Sequence, residues 1–198
     1  MPVKLNGSTS GFTQVQAAAV AGSGTLTLPT ATGNLIGTGD TGTVTQTMIG
    51  TNVVGSGPAF SAYLSTNQTI SSSTFTKVQL NAELFDTNSN FDSTTNYRFT
   101  PTVGGYYQIG WAVSGFASTA PTRCLSALYK NGTIYTYGSD YPATNGIGTS
   151  VGSAVVSMNG SSDYLELYGL ITATTAVIST TPSVSFYTNM SGVLVRSA

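Results

Sequence analysis

The chain of 198 residues contains no histidine and one cysteine, Cys124. Without imidazole there is no Ser-His-Asp or Cys-His relay and no histidine metal ligand. A lone thiol makes neither an internal disulfide nor a thiolate metal cluster. Charge is scarce too: 6 Lys and Arg against 7 Asp and Glu, 7% of the residues, where a globular domain ordinarily carries about 25%. The formal net charge is -1, with no basic patch to neutralise phosphates, which argues against nucleic acid or anionic lipid as a partner. No apolar run approaches the ~18 residues of a membrane-spanning helix, so no membrane insertion is expected. The opening MPVKLNGSTSG has no apolar stretch of the kind a secretory leader needs, so cytoplasmic synthesis without a leader is expected.

What the chain has instead is 33 Thr, 25 Ser and 23 Gly alongside 40% apolar residues. Hydroxyls, amides and backbone must cover most of the surface. Much threonine and glycine with few strong helix formers favours an all-β protein. The composition changes near residue 57. Residues 1–57 hold only Lys4 and Asp40 as charges and Phe12 as their one aromatic, whereas nineteen of the 20 aromatics follow. A segment so poor in bulky side chains cannot bury a core alone. It reads either as a flexible Gly/Ser/Thr-rich tail or as an extended anchor or stalk ordered by association. Leu-Thr-Leu-Pro and the alternating threonines 41, 43, 45 and 47 favour the second.

From residue 58 onward, strand-like runs recur every 8–15 residues: 59–64, 77–85, 97–99, 105–115, 125–130, 133–137, 151–158, 164–171, and 183–187 leading to 193–195. No window has convincing helical periodicity. Asn131-Gly132 is a type I′ hairpin signal, and Asn159-Gly160 opens the next turn. Eight to ten strands in about 140 residues read as a sandwich or jelly roll. Alternation places Tyr107, Ile109, Trp111 and Val113 on one strand face, expected to be core, and Tyr106, Gln108, Gly110 and Ala112 on the other. Leu165 and Leu167 alternate likewise with Tyr164, Glu166 and Tyr168. Cys124 is expected to be a small buried apolar group.

Residues 58–118 are specific. PAFSAYLSTNQTI, TKVQLNAELFDTNSNFD and YRFTPTVGGYYQIGWAVSG resemble the globular head of complement component q (C1q) and its tumour-necrosis-factor-like relatives. Phe60, Ser61 and Ala62 fit that family's opening, Leu80-Asn81 and Asp86 its next strand and turn, and Phe91 its aromatic. Phe99-Thr100-Pro101, Gly105, Tyr107, Ile109 and Trp111 fit the following strands, with Ile109 and Trp111 replacing commoner aromatics. LYKNG at 128–132, DYLEL at 163–167 and the terminal Ser191-Gly192-Val193-Leu194 continue the order. The resemblance covers about 58–198. It implies a ten-stranded jelly-roll head that assembles as a homotrimer, with variable distal loops that bind. Residues 1–57 resemble the Gly/Thr/Ala-rich segments preceding such heads in bacteriophage fibre and head-decoration proteins.

These resemblances imply a non-enzymatic, homotrimeric protein of the virion surface; without a leader it is expected either to stay inside the cell or to leave by a leaderless route such as lysis. Residues 1–57 would attach it to a capsid or tail protein, and the 58–198 head would bind a host-surface glycan or receptor. The alternatives are a capsid decoration protein without a receptor role, or a non-viral C1q-like lectin. Ligand contacts are expected from Arg123, Tyr135, Tyr137, Asp140, Tyr141 and Asn145, because an Arg/Asp/Tyr group grips sugar by hydrogen bonding and stacking. Tyr106, Tyr164 and Tyr168 are expected at the trimer interface. No cofactor is expected. Some relatives bind calcium, and Asp86-Thr87-Asn88 with Asp92 offers closely spaced oxygens, but without the ligand pattern of a dedicated calcium loop. An Asx-rich turn is the simpler reading of those residues.

Overall fold

Alternation over residues 105–113 sets the frame of the head: every second position is buried, giving a strand with a core face and an outer face, and beyond it residues 113–115 are buried consecutively. The computed structural model describes residues 3–6, 12–15, 57–117, 121–142, 147–180 and 187–198. The chain divides into two units, Met1–Val44 and Thr45–Ala198. In the first, β1 (Val3–Asn6) and β2 (Phe12–Val15) pair antiparallel, Val3 opposite Val15 and Asn6 opposite Phe12. The rest of the expected stalk, including the alternating threonines 41–47, lies outside the described residues.

The second unit carries β3 (Ala59–Tyr63), β4 (Gln68–Thr69), β5 (Thr76–Lys77), β6 (Ala82–Asp86), β7 (Phe91–Asp92) and β8 (Arg98–Phe99). There follow β9 (Gly105–Phe116), β10 (Arg123–Lys130), β11 (Thr133–Tyr141), β12 (Ile147–Met158), β13 (Leu165–Thr172), β14 (Val177–Ile178) and β15 (Asn189–Ser197). They form two sheets. One has six strands in the order β11-β10-β13-β8-β7, with β5 also on β13; the other has seven in the order β4-β14-β9-β15-β3-β6, with β12 also on β9. Five of these thirteen described strands are two residues long, which raises the count above the ten expected.

The expected strand 77–85 is two strands. Lys77 pairs in the six-stranded sheet and Ala82 in the seven-stranded one, so the chain crosses between sheets at 78–81. Val78 and Leu80, both fully buried, anchor that crossing. Tyr97 is not a strand residue; its positive φ of 50° turns the chain into β8. In the last predicted run, residues 183–186 lie outside the described residues, and Tyr187 precedes β15 rather than belonging to a strand.

The core lies between the sheets. Phe60 stacks on Phe99 and Phe91 with ring centroids 4.3 and 5.2 Å apart, and Tyr107 meets Phe99 edge-on at 5.5 Å. Burying each such aromatic contributes about 2–3 kcal/mol. Tyr107 donates its hydroxyl to the Val103 carbonyl at 2.7 Å. Trp111 joins the sheets, its Nε1–H donating to Ser126 Oγ at 2.9 Å. Gly152 lies opposite Trp111 because a Cβ there would sit 2.2 Å from the indole. Cys124 is fully buried as expected, and burial pushes its thiol up to about 11, which keeps it protonated and unreactive. At the predicted hairpin, Asn131 and Gly132 have φ of 53° and 78°, and Lys130 pairs with Thr133 across the two-residue turn.

Candidate functional site

The two outer faces of the sandwich differ in chemistry. On the seven-stranded sheet, outward residues form three successive rungs four strands wide. They are Ala59-Val193-Gln108-Val155, Ser61-Ser191-Gly110-Ser153 and Tyr63-Asn189-Ala112-Val151. None is charged. Within this sheet's strands the charged residues are Glu83 and Asp86 in β6 and Arg196 in β15. Tyr106, Val151, Val155 and Val193 are each about half exposed. A shallow groove of 460 Å³ between Phe85, Gln108, Gly110 and Val193 continues the face. This is the surface alternation assigned to Tyr106, and that residue lies on it.

The six-stranded sheet holds Lys77, Asp92, Arg98, Arg123, Lys130, Asp140 and Glu166 in its strands. Most are locked in place. Lys77 Nζ lies 2.6 Å from Glu166 Oε1 and also donates to the Asn96 carbonyl, which lets Glu166 sit 5% exposed. Lys130 pairs with Asp163 at 2.9 Å. Arg98 lies over the Tyr164 ring, 4.4 Å from its centroid, a cation–π contact.

Between these groups runs an aromatic array. Tyr129 stacks on Tyr168 at 3.8 Å, and Phe75, just before β5, meets Tyr129 at 6.4 Å and Tyr137 at 6.0 Å. Burial pushes the hydroxyls of Tyr129 and Tyr168 toward higher pKa. Beside the array opens a cleft of 420 Å³ lined by Phe75, Arg123, Leu125, Tyr137, Gly138 and Asp140. Arg123 and Asp140 face each other across β10 and β11. Nε donates to Oδ1 and Oδ2 at 2.9 and 3.1 Å, and Nη2 donates to Oδ2 at 2.7 Å. Each holds the other in its charged form, raising the guanidinium and lowering the carboxyl.

The expected ligand residues thus separate. Arg123, Tyr137 and Asp140 converge on the cleft. Tyr135, skipped by a register shift between β10 and β11, does not: its hydroxyl donates to the Val155 carbonyl of β12, in the other sheet, at 3.1 Å. Tyr141, exposed opposite Cys124, stands outside the cleft lining. Asn145 lies outside the described residues. Of the expected interface tyrosines, Tyr106 is on the outer face of the seven-stranded sheet, opposite Arg196, next to the neutral rungs, whereas Tyr164 and Tyr168 belong to the opposite side and are engaged by Arg98 and Tyr129. Sequence reasoning missed Phe75. Its flanks, SSST and TK, carry no periodic signal, and only the pairing of β5 with β13 brings it to Tyr137.

Asp86 and Asp92 serve the turn. Asp86 accepts from the amides of Asn88 and Phe91. Asp92 accepts from the amides of Thr95, Thr94 and Asn96 and from the Asn96 side chain, which holds its carboxyl well below the usual range. Among the described residues no three His, Cys, Asp or Glu side chains converge on a point where a metal ion could sit.

No family model matches the sequence, and no curated protein matches it either. Solved structures do. The globular domain of zebrafish complement 1qA protein is 18% identical, covers 71% of this chain and 99% of its own, and superposes with a TM-score of 0.52. The chain has a C1q/TNF-like β-sandwich fold. Murine APRIL at pH 5.0 agrees, at 8% identity over 70% of this chain and 98% of that one, with a TM-score of 0.51. So does the Eiger TNF of S. frugiperda, at 11% identity over 69% and 90%, with a TM-score of 0.50. At these identities the likeness speaks for the fold alone, as the residues of 58–118 led one to expect.

Proposed function

We propose that this protein is a homotrimeric, non-enzymatic component of a virion surface whose C1q/TNF-like head binds a glycan on the host cell. The observation that carries the reading is the division of labour between the two outer faces. The seven-stranded sheet presents neutral rungs, mostly of Val, Ser, Gly and Ala with Tyr63, Gln108 and Asn189 among them, that suit close packing against copies of the chain. The six-stranded sheet presents aromatics and ion pairs around an open cleft. Three identical heads on one axis would convert three weak cleft contacts into avid attachment. The placement on a virion rests on the Gly/Thr/Ala-rich residues 1–57 and their resemblance to segments that precede phage heads. Those residues would supply the attachment to a capsid or tail protein.

The test uses the full chain. Light scattering on a sizing column is expected to give three chains per particle, and labelled protein is expected to bind whole cells of a susceptible host. A monomer, or an intact trimer that binds no host cell, overturns the reading. Unchanged infectivity of particles carrying the chain truncated after residue 57 would favour decoration instead.

A further inference from the structure

We infer that the cleft between β10, β11 and Phe75 takes a neutral pyranose ring, and that the Arg123–Asp140 pair selects against acidic sugars. The inference rests on the glycan-binding reading above and adds the location and the ligand class. Phe75 and Tyr137 stand 6.0 Å apart with their planes at 37°, forming an open aromatic wedge. Tyr137 is 55% exposed and Leu125, at 6%, lies among the lining residues as the most buried large apolar one. The C–H face of a pyranose is apolar and stacks on such rings. At 420 Å³ the cleft falls in the usual range of ligand sites, about 300–1,000 Å³.

The polar end sets the chemistry. The pair engages Arg123 through Nε and Nη2, leaving both Nη1 hydrogens and the second Nη2 hydrogen outside it as donors. Asp140 oxygens have four lone-pair directions, of which the guanidinium takes three. The polar end of the cleft therefore keeps both donors and an acceptor, as sugar hydroxyls, which give and receive hydrogen bonds, require. A uronic or sialic carboxylate finds no such match. It meets Asp140 as a like charge, and the arginine it would seek is already neutralised bidentately. Gly138 lets β11 pack closely against β10 and β12 behind the cleft: a Cβ there would fall 2.2 Å from Ser126 Oγ and 2.9 Å from the Val151 carbonyl.

The experiment titrates the full chain with malto-, cello-, manno- and galacto-oligosaccharides, read by saturation-transfer NMR with irradiation of the aromatic protons. The best neutral chain is then compared with the same chain oxidised at C6 to the uronate. The neutral form is expected to bind at least tenfold more tightly. Tyr137→Ala, at an exposed position, is expected to weaken it at least fivefold. Asp140→Asn, which frees Arg123, is expected to shift the preference toward the uronate by at least tenfold. Binding of no neutral oligosaccharide, equal affinity for the oxidised form, or wild-type affinity in Tyr137→Ala overturns the inference. Host cells distinguish this from failure of the wider reading. If wild type and Tyr137→Ala bind cells equally, the cleft assignment fails while attachment stands; if neither binds, the attachment reading itself fails.

Discussion

The two sheets of the head share one core and have opposite outsides. The strands of the seven-stranded sheet carry three charged residues, Glu83 and Asp86 in β6 and Arg196 in β15, whereas those of the six-stranded sheet carry seven. A side chain facing outward on the first meets rows of small neutral groups. On the second it meets aromatic rings and ion pairs that already satisfy one another. The lesson is that the few charges are not spread evenly: most lie on the six-stranded sheet, and the rungs of the other sheet carry none.

The comparison is broken most severely by a charge on the neutral face. Val155→Asp places a carboxylate where Val155 is 53% exposed in the single chain, so folding should survive. In an assembly that carboxylate would be buried without a partner, at a cost of about 3 kcal/mol or more. Sizing with light scattering should show monomers and circular dichroism an intact sheet; a persistent trimer would remove this face from the interface.

On the other sheet the largest effect comes from exposing a buried charge to no partner. Lys77→Met leaves Glu166 without its 2.6 Å ion pair. Because Lys77 is one third exposed, solvent softens the loss, and urea unfolding should show about 2 kcal/mol of destabilisation at neutral pH. Adding Glu166→Leu should recover most of it, since a well-packed apolar pair replaces a buried ion pair at little net cost. An unchanged midpoint in Lys77→Met would mean that water already solvates Glu166.

The mildest effect is acid sensitivity confined to one side. Asp92 is held below the usual carboxylate range by the Thr95 and Thr94 amides, and Asp163 by the Asn131 side chain and Lys130. A carboxyl lowered in the folded state stabilises it fully above its unfolded value of about 3.9, and that stabilisation is lost as pH falls through the lower folded value. Hydrogen exchange between pH 5 and 2 should therefore rise first at turns 92–96 and 159–163. The central strands of the seven-stranded sheet, which carry no carboxylate, should follow later. Simultaneous loss of protection everywhere would refute this order.

Part of this was legible in the chain itself. The alternation of 105–113 placed Tyr107, Ile109, Trp111 and Val113 inward and Tyr106 outward, because side-chain direction along a strand is a local property with period two. The Asn131-Gly132 turn was readable for the same reason: two consecutive positive φ values favour those residues wherever they occur. The cleft was legible only in part. Arg123 and Asp140 stood out as scarce charges, but nothing local aligned them, since their pairing depends on the register of β10 against β11. Tyr135 and Tyr137 looked equivalent, but a register shift between β10 and β11 skips Tyr135, whose hydroxyl donates to the Val155 carbonyl, while Tyr137 lines the cleft. Glu166 read as an outward residue and is buried because Lys77, 89 positions away, closes over it.

By itself the sequence determined the all-β class, the inward face of each long strand and the tight turns, all consequences of steric and hydrophobic rules acting over a few residues. Only the tertiary structure decided which sheet each strand joined and which face stayed neutral. It also decided that Phe75 would complete an aromatic wedge with Tyr137. Those outcomes depend on pairings between distant segments, whose geometry no short window of sequence contains.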